Sequence, residues 1–129
     1  MTVAVAHHVS AISETVLAEA MKEAGFRQSD LVLINVTDTL DLDKDEALQV
    51  GIGDVVEKLA PGGTVNWRVE VVAAGNDVAQ ALLDAADALG AELLVLGARQ
   101  RSPMAKAFLG SVTQSVILNA RMPVLVVKR

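Results

Sequence analysis

The chain has 129 residues, and we expect residues 1–129 to form one domain. Its formal net charge of -5 and its pI of about 4.9 argue against nucleic acid as the main partner, because phosphate backbones are bound by clustered lysines and arginines. Cysteine is absent, which excludes disulfides and thiolate chemistry, and no apolar run approaches the roughly 18–20 residues of a membrane span, so a cytoplasmic protein without a membrane partner is expected.

Five short apolar runs predict five β-strands. Hydrophobic residues make up 52% of the chain but aromatics only 2%, so the core must consist of Val, Leu, Ile and Ala, as in parallel strands covered by Ala-rich helices. The first, second and fourth runs are almost continuously apolar, which indicates buried strands, whereas the third alternates. The predicted strands are residues 3–6, 31–36, 65–73, 92–96 and 124–127.

Apolar side chains at helical spacing predict a helix after each of the first four strands. The first helix follows a Ser10 cap and is expected to stop at Gly25. The second starts near Asp45, after an acidic loop, and the third covers residues 78–89 behind an Asn-Asp cap. The fourth begins near Ser111, and its buried face is predicted to hold Val112, Val116, Ile117 and Ala120.

The alternation of strands and helices predicts an α/β fold: a doubly wound, five-stranded parallel sheet with helices on both faces and strand order 3-2-1-4-5. Strands one and four then lie side by side where the winding direction reverses. Their carboxyl ends, near Ala6 and Gly97, should face one crevice, which is where folds of this kind bind ligands.

The connection from Gly97 to Val112 is the strongest candidate site. It is long for a strand-to-helix loop, and it carries two arginines and a lysine in an acidic protein. Ser111 followed by Gln114 fits a capping box, which by itself means only a well-capped helix. The sharper alternative is an anion site, since free N–H groups at a helix start attract phosphate and Gly110 allows close approach.

Other familiar chemistry is missing or incomplete. His7 and His8 are adjacent on an extended chain and point to opposite faces, so they cannot readily share one metal, and no metal site is predicted. The acidic run at 41–45 lacks the later Gly and Glu of a calcium loop and is interpreted as a solvated loop before the second helix. There is no phosphate-loop motif and no nucleophile elbow, so no residue argues for an enzyme.

The long loop and its surroundings resemble the universal stress protein family over nearly the whole chain. The shared features include the Gly75-Asn-Asp turn, the strand ending at Gly97, the Gly110-Ser111 pair and the last Pro-Val-Leu-Val-Val strand. The ATP-binding branch of that family carries the pattern G-x2-G-x9-G-S/T. Here Gly97 and Gly110-Ser111 fit, but Gln100 stands at the second glycine.

A second departure from the family lies after the first strand. The family usually has an aspartate there that meets adenine, in the pattern D-x-S-x-x-S. Ser10 and Ser13 fit the two serines, which puts His8 at the aspartate position. An imidazole can stack on adenine or form a hydrogen bond with it, but it is not the same charged acceptor.

The resemblance implies a Rossmann-like fold of the adenine nucleotide alpha hydrolase type, with ATP or another adenine nucleotide as ligand. It places adenine near His8 and Val36 and phosphates near the loop, and it implies weakened or altered nucleotide affinity. It also implies a homodimer formed through the last strand, from Pro123 to Lys128. The implied nucleotide-binding residues are His8, Val36, Gly97, Arg99, Gln100, Gly110, Ser111 and Val112.

Three functions follow as expectations. The first is a cytoplasmic, dimeric regulatory module of the stress-protein type with an atypical nucleotide site. The second is slow ATP hydrolysis or phosphoryl transfer to Ser102 or Ser111, for which the sequence offers no general base. The third is an interaction protein that binds no nucleotide and recruits a partner through its dimer surface or the acidic segment 38–46.

Overall fold

The computed structural model describes residues 1–7, 13–37, 42–60, 65–98 and 110–128. Five strands alternate with four helices along these residues. The strands are β1 (Thr2–Ala6), β2 (Asp30–Thr37), β3 (Trp67–Ala73), β4 (Ala91–Gly97) and β5 (Val124–Val127). The helices are α1 (Ser13–Arg27), α2 (Leu42–Leu59), α3 (Val78–Ala88) and α4 (Ser111–Asn119).

The strands form one parallel sheet in the order β3-β2-β1-β4-β5, which confirms the predicted fold class and strand order. Side chains alternate between the two faces along each strand. Val3 and Val5 pack with α1 and α2 on one face, whereas Ala4 packs with α3 and α4 on the other. The sheet is therefore covered on both sides, as doubly wound folds are.

The apolar runs are buried because they lie at the centre of this sheet. At most 1% of the surface is exposed in each of four central residues, Val3, Val5, Leu94 and Val95. Strands β1 and β4 are therefore shielded from water. Truncating a side chain such as Leu33, which is also fully buried, would leave a cavity and cost about 2–5 kcal/mol. The sheet centre thus provides a rigid frame for the loops at its carboxyl edge.

Helix α1 does not stop at Gly25, so that prediction is wrong. The helix continues to Arg27, and the left-handed residue is Gln28, with φ 53°. The N–H of Ser29 donates to the carbonyl of Ala24 at 2.9 Å, and that of Gln28 donates to Gly25 at 3.3 Å. These two bonds form a Schellman motif, which satisfies the last carbonyls of the helix without a glycine at the left-handed position.

Helix α2 is longer than predicted and continuous. It begins at Leu42 rather than near Asp45, so the last residues of the predicted acidic loop are helical. Gly51 and Gly53 lie within the helix and do not break it. A Cβ on Gly53 would stand 3.6 Å from the Trp67 ring, so this glycine lies against the indole.

Strand β3 begins at Trp67, two residues later than predicted, because Val65 lies outside the ladder and packs against the α1–α2 face.

A polar cluster lies at the amino end of β4. Ser29 donates a hydrogen bond to the Glu92 carboxylate, and Arg27 lies 3.8 Å from the same group. This cluster joins the end of α1 to the start of β4.

Candidate functional site

The two central strands stop pairing with each other at the carboxyl edge. The β1–β4 ladder ends at Val5 and Val95. Beyond that point β1 stays paired with β2, since the N–H of His7 donates to the carbonyl of Ile34 at 2.9 Å, and β4 stays paired with β5 as far as Gly97. Strand β1 therefore continues beside β2, and β4 continues beside β5. The predicted crevice opens between β1 and β4, at the topological switch point.

Gly97 ends β4 at the near side of the long loop and is partly buried. The next N–H, that of Ala98, donates to the carbonyl of Val127 at 2.8 Å. The carbonyl of Gly97 itself accepts a hydrogen bond from the Thr113 hydroxyl at 3.5 Å. The near end of the loop is thus bonded to β5 and to the first turn of α4.

Gly110 forms the far end of the loop and is the N-cap of α4. Its φ of 86° and ψ of 149° lie in a region that side-chain-bearing residues rarely adopt, and no side chain caps the helix. The carbonyl of Gly110 accepts the first helical hydrogen bond, from Gln114 at 3.0 Å. The preceding N–H groups of the first turn have no carbonyl partner within the helix.

The predicted capping box at α4 is therefore wrong, because Ser111 is the first helical residue and not the cap. The predicted buried face is also wrong in part. Val116 is fully buried, but Val112 and Ile117 are 39% and 42% exposed, and Thr113 is buried instead. The helix is rotated relative to the apolar pattern, so that Thr113 points inward to Gly97.

Thr113 was not among the predicted site residues. The only sequence signal was a hydroxyl three residues after Gly110, and the apolar residues Val112 and Ile117 of the same helix indicated a different buried face. Its hydroxyl brings the two ends of the loop together, since it connects the first turn of α4 to Gly97.

Val36 lies on β2, next to β1 at the same edge. It is half-buried, is paired with Val72 of β3, and packs against the α3–α4 face. The structure thus places Val36, Gly97, Gly110, Ser111 and Val112 along the carboxyl edge of the sheet and the adjoining start of α4. His8, Arg99 and Gln100 lie outside the described residues, as do the other cations and Ser102 of the loop.

The described residues at the ends of β1, β2 and β4 and at the start of α4 (6–7, 35–37, 97–98 and 110–113) include no Asp, Glu, Lys or Arg. Among these residues, the positive end of the α4 dipole is the partial charge that would attract an anion. This arrangement suits an anion better than a cation or a neutral polar group.

The start of α3 lies at the same edge but is already capped. The Asp77 carboxylate accepts a hydrogen bond from the Gln80 N–H at 3.0 Å, and the Gln80 side chain donates to Asp84 at 2.8 Å. A shallow concavity of about 570 Å³ runs along this part of α3 and the end of β3. Three of the polar residues that line this concavity, Asp77, Gln80 and Asp84, are therefore hydrogen-bonded to one another.

Residues 1–7, 13–37, 42–60, 65–98 and 110–128 contain no group of three or more His, Asp or Glu side chains able to hold a metal ion. Within the same residues, none of the helices is both long and apolar enough to cross a membrane.

Comparison with known proteins gives a consistent result. The model of the universal stress protein family matches residues 1–128. A universal stress protein of Mycolicibacterium smegmatis is 33% identical over 127 residues, which are 98% of this chain and 96% of that protein.

Two solved structures have the same fold. The universal stress protein from Archaeoglobus fulgidus is 26% identical, with a TM-score of 0.77, and the match covers 98% of this chain and 92% of that one. A universal stress protein in complex with cAMP is 24% identical, with a TM-score of 0.77 and coverage of 99% and 96%. At that identity the second likeness shows the fold alone.

Proposed function

The chain belongs to the universal stress protein family, and from that premise we propose that it is a small regulatory module that binds an adenine nucleotide between β1 and β4. The observation that carries this proposal is the start of α4. Gly110 caps the helix with a backbone conformation that favours glycine and with no side chain, so within the described residues the first-turn N–H groups have neither a carboxylate nor a hydroxyl cap.

A phosphate group is the ligand that suits this helix start. Its oxygens can accept several backbone N–H bonds together, and its charge interacts favourably with the helix dipole. Gly97 stands at the other end of the loop, bonded to Thr113 of the same helix turn. Val36, at the end of β2, supplies a half-buried apolar surface on the adenine side. The complex with cAMP belongs to another protein of this fold and supports an adenine nucleotide by analogy only.

We propose that nucleotide affinity is lower than in family members with the full glycine motif. Gln100 stands where the family pattern has its second glycine, and it adds a Cβ in place of a residue that permits both positive φ and close approach of a phosphate. His8 replaces the aspartate that meets adenine in the family. Both departures leave Gly110 and Ser111 unchanged, so the helix-start part of the phosphate site is preserved.

Titration of the purified protein with ATP tests this function, together with chromatography of whatever nucleotide the protein releases on denaturation. We expect weak but saturable ATP binding by the wild type and tighter binding by Gln100→Gly. Gln49→Gly is the matched control, since Gln49 lies on an exposed part of α2. No bound nucleotide and no response of either the wild type or Gln100→Gly at millimolar ATP would refute nucleotide binding and favour an interaction protein.

A second proposal concerns assembly: two copies of this chain pair through β5. This strand is an edge of the sheet, and its residues Val124, Leu125 and Val126 are only half-buried. Leu118 of α4, close to β5 in the chain, is 81% exposed. An apolar edge strand left uncovered invites pairing with another chain, and a second copy would cover both features.

Sedimentation analysis tests the dimer. We expect the wild type to sediment as a dimer of the 13.5 kDa chain and Leu118→Lys to shift towards monomer. Val50→Lys is the control, because Val50 is 67% exposed on α2, on the opposite face of the sheet, and should leave the dimer intact. A monomeric wild type at high concentration would contradict the proposal.

A further inference from the structure

The peptide unit between Gly97 and Ala98 is held by hydrogen bonds on both sides. Its N–H donates to the carbonyl of Val127 in β5 at 2.8 Å. Its carbonyl accepts from the hydroxyl of Thr113 in α4 at 3.5 Å. This peptide is the first link of the long loop, so its orientation sets the direction in which the chain leaves the sheet.

Thr113 is placed for this role by burial as well as by distance. Its side chain is 6% exposed, although the neighbouring Val112 and Gln114 are exposed on the same helix. A buried hydroxyl requires a partner, because leaving it unpaired costs about 1–3 kcal/mol. Among the described residues, the Gly97 carbonyl, 16 positions earlier in the chain, is the partner of this hydroxyl.

We infer that Thr113 is a positioning residue, which fixes the orientation of the Gly97–Ala98 peptide by donating to its carbonyl beside the first turn of α4, where the proposed phosphate site lies. A carbonyl oxygen facing the anion would repel it, whereas an oxygen bonded to Thr113 cannot turn freely. The inference rests on the proposed nucleotide site and adds a residue that does not itself touch the ligand.

Three variants separate this role from simple packing. Thr113→Val keeps the shape of the side chain but removes the hydroxyl. Thr113→Ser keeps the hydroxyl and should restore wild-type behaviour. Ser115→Ala is the control, because the Ser115 hydroxyl lies 3.4 Å from the Asn119 side chain, further along α4 and away from Gly97.

Two readouts are measured on the full chain: hydrogen exchange of the Ala98 amide without ligand, and affinities for ATP and adenosine. We expect Thr113→Val to exchange Ala98 faster and to bind ATP about five-fold more weakly, with adenosine affinity changed about two-fold or less, since one hydrogen bond near the phosphate is lost. Thr113→Ser and Ser115→Ala should match the wild type in both readouts.

Unchanged exchange at Ala98 in Thr113→Val would overturn the inference, and so would an equal loss of ATP and adenosine affinity, which indicates a general packing defect. If the wild type binds neither ligand, the proposed function fails and the ligand part of this inference fails with it. The exchange rates still decide in that case whether Thr113 holds the peptide.

Discussion

Helices α3 and α4 begin at the same edge of the sheet and pack on the same face, yet their first turns are built in opposite ways. At α3 the Asp77 carboxylate accepts the Gln80 N–H, so the chain supplies its own anion. At α4 Gly110 supplies none. The chain thus caps the start of α3 itself, whereas the start of α4 has no cap from its own N-cap side chain, as the proposed phosphate site requires.

The glycines before the two helices also differ in their backbone conformation. Gly75, before α3, has φ 58°, which is the left-handed region that Asn also adopts. Gly110 has φ 86° with an extended ψ, which is close to a glycine-only region. We therefore expect Asn in the turn before α3 to cause less backbone strain than a side chain at Gly110 before α4.

The largest effect is expected from Gly110→Val. No atom of the described residues lies within 4 Å of a Cβ built on Gly110, so the cost that these residues impose is backbone strain at φ 86°. Strain of this kind costs about 1–3 kcal/mol, so ATP affinity should fall about ten-fold or more as the helix start rearranges. Calorimetric titration and thermal unfolding measure the two effects.

Gly75→Asn is the matched control for Gly110→Val, because it adds a side chain at a positive φ before α3. We expect its ATP affinity to equal that of the wild type. If both substitutions weaken ATP binding equally, the two helix starts are not functionally different and the comparison fails.

An intermediate effect is expected from Ser111→Asp, which gives α4 the carboxylate that it lacks. The helix dipole should stabilise the folded protein by about 0.3–1 kcal/mol. The same charge should lower ATP affinity about ten-fold by repulsion, and added salt should reduce that loss. Ser111→Asn, without the charge, should lose much less affinity, and a Ser111→Asp variant that binds ATP normally would show that phosphate binds elsewhere.

The smallest effect on the ligand is expected from Asp77→Ala, which opens the start of α3. Losing this cap should cost about 1 kcal/mol and lower Tm by about 3–5 °C. ATP affinity should stay the same, because an uncapped α3 still lacks the glycine conformation found at Gly110. Asp84→Ala, which removes only a surface hydrogen bond, should change stability by about 0.5 kcal/mol or less. If Asp77→Ala and Asp84→Ala lose the same amount of stability, the Asp77 cap contributes little.

Much of the fold could be predicted from the sequence because the apolar runs of the central strands have one physical interpretation. The runs at 31–36 and 92–96 are buried on both faces, and their ends agree with β2 and β4 to one residue. The end of α1 could not be predicted in the same way. A Schellman motif with Gln28 at the left-handed position depends on backbone bonds, whereas Gly25 offered the simpler signal.

The candidate site was less predictable than the sheet. Gly97 ends β4 and Gly110 precedes α4, as the sequence predicts, while their role in nucleotide binding stays a prediction. The orientation of α4 was missed, since Val112 and Ile117 extend the apolar pattern while tertiary packing buries Thr113. Ser111 was mistaken for the cap because serine caps helices more often than glycine does, and the unusual φ of Gly110 is not visible in the sequence.

The most direct test of the difference between the two helix starts is an NMR titration of the isotopically labelled wild-type protein with ATP. We expect the backbone amide signals of Ser111 and Val112 to shift progressively and to saturate, while those of Ala79 and Gln80 at the start of α3 stay in place. Adenosine, which has no phosphate, should leave all four amides nearly unchanged. Shifts at α3 instead of α4, or none at α4 at millimolar ATP, would contradict the assignment of phosphate binding to the start of α4.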